Sequence, residues 1–398
     1  MKVAIMGYGT IGSGVAKVLE VNREVIAERV GEPLDLKYIL DLRDFPDDPH
    51  KDCFVKDVND IVKDKEVKIV VETMGGVEPA FTFVKAMLES GKSVTTSNKA
   101  LVADKGAELL ATAKKNNVNF LFEAAVGGGI PIIRTLNECL TADVIEEIAA
   151  ICNGTTNYML TKMEQNGSDY GAVLKEAQDL GYAEKDPTAD VEGFDSCRKI
   201  AILTSLVAGK QVDFEKIPTE GISKISATDF KYAKAMGRSI KLLARAVKKG
   251  DTYTCRVAPY LLSTEHTLFH VSGVMNAVYV KGNMLGDSMY YGAGAGSLPT
   301  ASAVVADIVA LAKNIDRPTP IKWESDELAL ADSSLDKFKY FVRTSASQAD
   351  IETEFGKVEY VDLDLDDEVG FVTDIMSENE FAQRKNAMGS ILSVIRLA

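Results

Sequence analysis

Histidine is almost missing: His50, His266 and His270 are the only three in 398 residues, so the commonest agent of proton transfer and metal binding is scarce. Lysine and carboxylates must be considered first. Cysteine is also sparse. The five, Cys53, Cys139, Cys152, Cys197 and Cys255, form no C-x-x-C pair for zinc or thiol exchange, and an odd, scattered set suits a reducing cytoplasm. No apolar run approaches the ~20 residues of a membrane span, and residues 1–10 enter a strand pattern without a signal-peptide layout. The reading is a cytoplasmic protein with no membrane partner. Positive charge is in deficit, since 45 Lys and Arg against 59 Asp and Glu leave a net charge of -14. That is the wrong sign for gripping a phosphate backbone, so no nucleic-acid partner is expected. Twelve of the acids lie between residues 350 and 380 against the single Lys357. With 46% apolar and 26% charged residues and no excess of Gly or Pro, the chain is neither collagenous nor disordered.

What is present reads as two or three domains at ~150 residues each. Short β-branched runs at 3–6, 36–40, 68–71, 93–96 and 119–122 alternate with helical stretches near 11–30, 79–90 and 105–116. That is the pattern of a parallel sheet with crossover helices. After Glu123 the text becomes Gly-rich and then irregular, as in a separate α+β domain reaching to about residue 299. The run TASAVVADIVALAK at 300–313 is a helix with a small-residue face that returns to the first domain. A linker at 317–320 follows, then strands at 340–343, 358–365, 369–373 and 391–397, a small third domain. Strict alternation of apolar and acidic residues from Val361 to Asp366 suits a sheet with one wet face.

Gly7-Tyr8-Gly9-Thr10-Ile11-Gly12 fits G-x-G-x-x-G between the first strand and the first helix, the place a dinucleotide's pyrophosphate requires. The first domain is therefore expected to be Rossmann-type. The second strand ends at Asp41-Leu42-Arg43, where Asp41 would bind a ribose 2′-hydroxyl and Arg43 a 2′-phosphate, so NAD and NADP both stand. Thr73 follows the third strand, and Ser97 and Lys99 follow the fourth, at the carboxyl edge where such sheets bind ligands. Lys99 reads equally as a ligand contact or as an exposed first-turn residue. Glu123 and the Gly127-Gly128-Gly129 turn offer oxygen ligands to a hard cation, or a plain hinge. Asp195 and Lys199 stand one helical turn apart, ahead of an apolar helix, with Glu184 and Asp190 close in sequence. A lysine among such carboxylates could exchange a proton with a substrate hydroxyl, its pKa set by burial and neighbours. A surface ion pair is the plainer account. His266 and His270 fall in HTLFHVSGV, which reads as a strand and makes them structural. A second glycine loop at 292–296, with Gly294 and Gly296, precedes the returning helix and is placed to close over the cofactor.

Taken in order, GYGTIGSGV, TSNKALVA at 96–103, EAAVGGGIPII at 123–133, NGTTNYML at 153–160, LGYAEKDPTADVEGFDSCRKIAIL and GAGAGSLPTASAVVADI resemble the homoserine dehydrogenase family. The resemblance covers most of the chain. It implies NAD(P)-dependent interconversion of L-homoserine and L-aspartate 4-semialdehyde, in the route to threonine, methionine and isoleucine. It makes Lys199 the proton donor and acceptor, assisted by Asp190, with Lys99 facing the reacting centre and Glu184 and Asp195 holding substrate. It adds Gly181 to the cofactor contacts, and matches Glu123, Val126, Gly128 and Ile130 to a monovalent-cation loop, sodium being the ion. It also implies a homodimer or higher homo-oligomer.

The domains are then a Rossmann nucleotide-binding domain over 1–129, an α+β catalytic and dimerisation domain over 130–299, a return helix and linker over 300–320, and a degenerate ACT-like α+β domain over 321–398. That last segment lacks the Asp-x-Pro-Gly-Val turn, reading TSASQADIETEFGKVEY after its first strand, so an effector-binding helix and threonine feedback are not expected there. Two rivals remain. A semialdehyde dehydrogenase using a cysteine thioester needs an activated thiolate, and none of the five cysteines sits in a recognisable nucleophile motif. A non-catalytic dinucleotide or amino-acid sensor would have no use for Lys199.

Overall fold

The computed structural model describes all of residues 1–398 except Asp316, Pro320, Asp364 and Asp366. Pro320 of the expected linker and two acids of the alternating stretch thus lie outside the described residues. In chain order the elements begin β1 (Lys2–Met6), α1 (Thr10–Val21), α2 (Arg23–Val30), β2 (Asp35–Leu40), β3 (Phe54–Val55), α3 (Val58–Lys63), β4 (Val67–Glu72) and α4 (Ala80–Glu89). Next come β5 (Ser93–Thr96), α5 (Lys99–Lys115), β6 (Phe120–Leu121), β7 (Ile145–Ile151), α6 (Gly154–Asn166), α7 (Tyr170–Asp179), α8 (Thr188–Val191), α9 (Phe194–Ala208) and β8 (Lys210–Gln211). They are followed by α10 (Ala227–Ala235), β9 (Arg238–Lys249), β10 (Thr252–Ser263), β11 (Met275–Gly282), β12 (Gly286–Ala293), α11 (Ser297–Lys313) and β13 (Glu324–Glu327). The chain closes with β14 (Lys337–Thr344), α12 (Gln348–Phe355), β15 (Glu359–Val361), β16 (Val369–Val372), β17 (Met376–Ser377), α13 (Glu378–Met388) and β18 (Ile391–Leu397).

These form two compact units. The first comprises residues 1–144, 201–214 and 290–328. Its parallel sheet has the order β3-β2-β1-β4-β5-β6, the doubly wound nucleotide-binding arrangement. Val3, Ile5, Ile39, Ile69 and Val71 are fully buried and pack with Val15 and Leu19 of α1 and Val304, Ile308 and Leu311 of α11. Near-continuous apolar strands are what a sheet covered on both faces requires. Gly14 lets α1 and α11 approach closely, because a Cβ there would lie 2.7 Å from Ser297 Oγ and 3.1 Å from Ala301 Cβ. The small-residue helix has therefore returned to the nucleotide unit.

The second unit comprises residues 145–200, 215–289 and 329–398, around a mixed sheet of order β12-β11-β7-β9-β10-β18-β14-β16-β15. Its core joins Leu243, Tyr260 and Leu262 to Tyr340, Val342, Phe371 and Phe381. The segment after residue 321 is not a unit of its own. β18 pairs in parallel with β10 through Tyr260 with Arg396 and Leu261 with Leu397, so one sheet runs through both parts. Likewise 130–144 and 201–214 cluster with the nucleotide unit and not with the rest of 130–299.

Several local expectations change. The helix read over 11–30 breaks at Asn22, which leaves helical geometry (φ -101, ψ 20) and so ends α1 and opens α2. The helix read from 105 begins at Lys99, because Asn98 Oδ1 accepts from Leu101 N and caps it. HTLFHVSGV is turn, not strand, and His266 Nδ1 accepts from Leu268 N at 3.1 Å. The stretch after Arg343 does hold a helix, α12, whose Ser347 hydroxyl caps Asp350 N. Of the strand read over 358–365, which includes Asp364 outside the described residues, Glu359–Val361 is observed as β15.

Candidate active site

In the first unit the glycine motif turns β1 into α1. Gly7 adopts φ +94, and a Cβ on it would meet Met74 N at 2.9 Å. A Cβ on Gly12 would lie 2.0 Å from Gly7 O, so helix and strand meet with no room for a side chain. Gly9 faces open space, and a Cβ there would find nothing within 4 Å. Gly9 also supplies no side-chain cap, leaving the first-turn N–H groups beside Thr10 and Ile11 to an anion. A cradle closed beneath and open above is what a pyrophosphate needs.

Around it, Thr73 Oγ1 donates to Gly7 O at 2.8 Å, tying the end of β4 to that of β1 at the switch point of the sheet. Asp41 accepts from Tyr8 N at 2.8 Å and Arg43 N at 2.9 Å, and the Arg43 guanidinium grips both its oxygens, at 3.0 and 2.8 Å. That fork, outweighing partial burial, holds the Asp41 carboxyl well below the usual carboxylate range. Ser97 follows β5, and Lys99 is the half-buried first residue of α5. Glu72, for which sequence reasoning offered no role, is fully buried at the end of β4. It accepts from Met74 N at 2.7 Å, Gly75 N at 3.3 Å and Thr96 Oγ1 at 2.5 Å, fixing the loop that abuts Gly7. Burial, opposed by those donors, pushes its pKa up.

The glycine loop at 127–129 lies in the same unit and touches the glycine loop at 292–296. A Cβ on Gly128 would stand 2.4 Å from Gly294 O, and Gly129 N donates to Ala293 O at 3.0 Å. Glu123, Val126, Gly128 and Ile130 are all buried. The Glu123 carboxylate accepts from Ile133 N and Arg134 N, each at 2.8 Å. Burial first, and then the nearby Asp307 carboxylate, raise its pKa to about 7. Asp307 of α11, missed because its helix reads as small and apolar, accepts from Thr95 Oγ1 and Glu123 N at 2.9 Å and from Arg134 at 2.5 Å. Two buried carboxylates face one guanidinium there. Among the described residues no group of three His, Cys, Asp or Glu is arranged to hold a metal.

In the second unit, β7 delivers the chain to Cys152 and then to Asn153, the N-cap of α6. Thr155 Oγ1 donates to Tyr182 O at 2.6 Å and so fixes the loop carrying Gly181 and Glu184. Gly181 (φ +75) and Glu184 are exposed on that loop, and the backbone carbonyl of Glu184 accepts from Gln178 Nε2 at 3.1 Å. Gly181 is thus in a different unit from the other residues read as cofactor contacts. Lys199 and Asp195 do meet on one face of α9. Lys199 Nζ donates to Asp195 Oδ2 at 2.7 Å and to Cys152 O at 2.6 Å, with the lysine 8% and the aspartate 3% exposed. The plainer surface-pair account therefore fails on burial. Asp190 joins through Asn153, whose Nδ2 donates to Asp190 Oδ1 at 2.7 Å and Asp195 Oδ2 at 2.9 Å. Burial alone would discharge Lys199, but the carboxylate of Asp195, then Cys152 and Asp190, outweigh it and hold its pKa above the ordinary lysine value. An ammonium in a sheltered carboxylate setting can deliver a proton to a carbonyl oxygen and take one back.

Comparison with known proteins identifies the family. A family model described as homoserine dehydrogenase matches residues 131–309, and one described as the homoserine dehydrogenase NAD binding domain matches residues 7–123. The homoserine dehydrogenase of Bacillus subtilis (strain 168) is 45% identical over 318 residues, 79% of this chain and 73% of the relative. That of Mycobacterium tuberculosis (strain ATCC 25618 / H37Rv) is 38% identical over 395 residues, 98% of this chain and 85% of the relative. A crystal structure of a homoserine dehydrogenase from Thiobacillus denitrificans superposes with a TM-score of 0.91 at 36% identity, covering 100% of this chain and 98% of that one. A hyperthermophilic archaeal homoserine dehydrogenase in complex with NADPH gives 0.67 at 30% identity, covering 78% of this chain and 97% of that one.

Proposed function

This chain belongs to the homoserine dehydrogenase family of NAD(P)-dependent oxidoreductases, and from that premise we propose how its own residues divide the work. Lys199 exchanges the proton of the substrate hydroxyl, and the observation that carries this is its burial against Asp195 with Asp190 held alongside. When bound, the dinucleotide supplies the hydride acceptor for oxidation and the hydride donor for reduction. Lys199 takes the hydroxyl proton as homoserine becomes aldehyde, and returns it to the carbonyl oxygen in the opposite direction. Asp190 assists, Lys99 faces the reacting centre, and Glu184 and Asp195 supply carboxylates for the substrate's ammonium. The Gly7 to Gly12 turn, Thr73 and Ser97 hold the cofactor, and Gly181, Gly294 and Gly296 complete its contacts. Asp41 and Arg43 meet the ribose end. Initial rates with L-homoserine and each of NAD+ and NADP+ test the reading and rank the cofactors.

The charged state of Lys199 gives a pH dependence. Oxidation needs the neutral amine, and the pKa is raised, so its rate should still climb as pH approaches the ordinary lysine value of about 10.4. Reduction uses the ammonium, which stays the major form until the raised pKa is passed, so its rate should hold level over that interval and fall only above it. Measuring kcat in both directions across that range checks it, and an oxidation rate already level near neutrality places the proton transfer elsewhere.

A sodium ion is proposed at the loop of Glu123, Val126, Gly128 and Ile130, in a structural role. The support is chemical: Glu123 and Asp307 outnumber the Arg134 guanidinium they face in a buried setting, which suits a hard monovalent ion. A homodimer through the second unit is supported by the open sheet edge at β12, beside which Met284 and Leu285 stand exposed. A cytoplasmic place in threonine, methionine and isoleucine synthesis accords with membership of the family. Among the described residues no helix is long and apolar enough to cross a membrane.

Apart from the two-residue β17, residues 337–397 run β-α-β-β-α-β with sheet order β18-β14-β16-β15, which supports an ACT-like module. Its helix α12 is closed at the N-terminus by Ser347, whose hydroxyl donates to Asp350 at 2.6 Å. That carboxylate would repel an effector's own, so millimolar L-threonine is expected to leave the initial rate essentially unchanged. Strong cooperative inhibition in a threonine titration would overturn this.

A further inference from the structure

Asn153 has the extended geometry of a helix N-cap (φ -128, ψ 116), and its Oδ1 is committed to α6, accepting from Thr156 N at 2.9 Å and lying 3.0 Å from Thr156 Oγ1. That commitment decides which end of the amide points the other way. Nδ2 carries two protons, and two acceptors receive them, Asp190 Oδ1 at 2.7 Å and Asp195 Oδ2 at 2.9 Å. A flipped amide would set its oxygen against both carboxylates. The same Asp195 Oδ2 takes the Lys199 ammonium at 2.7 Å, and the ammonium also donates to the carbonyl of Cys152, the residue before Asn153. One neutral amide therefore links two like charges on separate helices, α8 and α9, within reach of one cation.

We infer that Asn153 is a positioning residue that aims Lys199, by clamping Asp190 and Asp195 in the arrangement that holds the ammonium. The inference rests on the assignment of proton transfer to Lys199. Without the amide donors the two carboxylates repel each other, Asp195 Oδ2 loses one of its partners, and the lysine that follows it loses its line to the substrate oxygen. A shift of about 1 Å in such a group is enough to cost roughly 100-fold in rate.

The test uses Asn153→Ser and Asn153→Asp. Both replacements are as good N-caps as asparagine, so α6 and the fold are retained, but neither supplies the two donors. Turnover of homoserine should fall roughly 10- to 100-fold in Asn153→Ser, with NADPH affinity unchanged and the melting temperature lowered by only a few degrees. Asn153→Asp should lose more, because it adds a third carboxylate to the two already there. A purely capping role would rank the two alike. Lys199→Arg supplies the second arm, since Asn153→Ser should cause little further loss of residual turnover in that background if it works through the lysine. Equal losses in both backgrounds, or wild-type turnover in both Asn153 variants beside a dead Lys199→Arg, overturn this inference alone. Wild-type turnover in Lys199→Arg overturns the lysine assignment, and the inference with it.

Discussion

Replacing Lys199 by alanine is expected to lower kcat roughly 1000-fold in either direction, while the affinity for NADPH stays near that of the unaltered enzyme. The separation follows from the architecture: the lysine belongs to the second unit, and the glycine turn that cradles the cofactor belongs to the first. Alanine carries a complication. Removing one partner of a buried pair leaves Asp195 without its ammonium, and such losses cost about 3–5 kcal/mol. Lys199→Arg removes the ambiguity, because the guanidinium keeps the positive charge among Asp190 and Asp195 but does not give up its proton near neutral pH. It should melt close to the parent and turn over as poorly as alanine. Thermal melts beside initial rates decide the matter, and near-normal turnover in the arginine variant would remove Lys199 from the chemistry.

The second large effect is expected at Gly9. Its dihedrals, φ -85 and ψ -158, are open to any residue, and a Cβ there meets nothing within 4 Å. Gly9→Val should therefore fold, losing at most about 1 kcal/mol of N-cap preference. The branched side chain would nevertheless fill the space above the turn. NADPH affinity should drop roughly 100-fold or more, the order expected when one or two charge-assisted hydrogen bonds of about 1.5–3 kcal/mol are lost. Gly12→Ala makes the contrast, since its Cβ would sit 2.0 Å from Gly7 O and the damage should appear in the melting temperature first. Fluorescence titration with NADPH and a melt separate the two. Undiminished affinity in Gly9→Val would move the cofactor site away from this turn.

Much of the nucleotide unit was legible because its strands are buried on both faces and read as unbroken apolar runs, with glycines spaced by the turn they make. The Lys199 and Asp195 pair was legible too, since helical periodicity alone puts them on one face. What escaped was of another kind. Asn153 stands in NGTTNYML as one polar residue among several, and nothing local tells that its amide protons reach Asp190 and Asp195, 37 and 42 residues away. Asp307 hides in a helix whose small apolar residues dominate the pattern, and Glu72 ends a strand as any polar residue does. The helix α12 was masked by its acids Asp350, Glu352 and Glu354 and α13 by its few apolar residues, so only their capping serines, Ser347 and Ser377, mark where they start. HTLFHVSGV carries strand-like residues but folds as turns, a case of tertiary context overriding propensity.

The place of β18 in the sheet sets an order of events during synthesis. It lies between β10 and β14, pairing in parallel with one and antiparallel with the other, although β10 ends at Ser263 and β18 begins only at Ile391. Until the ribosome has released residues 391–397, β10 and β14 each present an open edge, and Tyr260 and Tyr340 lack the neighbours between which they are finally buried. Pairing across so long a stretch is slow, because the loop must close before the contacts repay it. The sheet of the second unit is consequently completed only after residues 391–397 have been made. Cutting the chain near residue 320 would remove β18 and every strand beyond it, leaving β10 as a bare edge of the second unit's sheet.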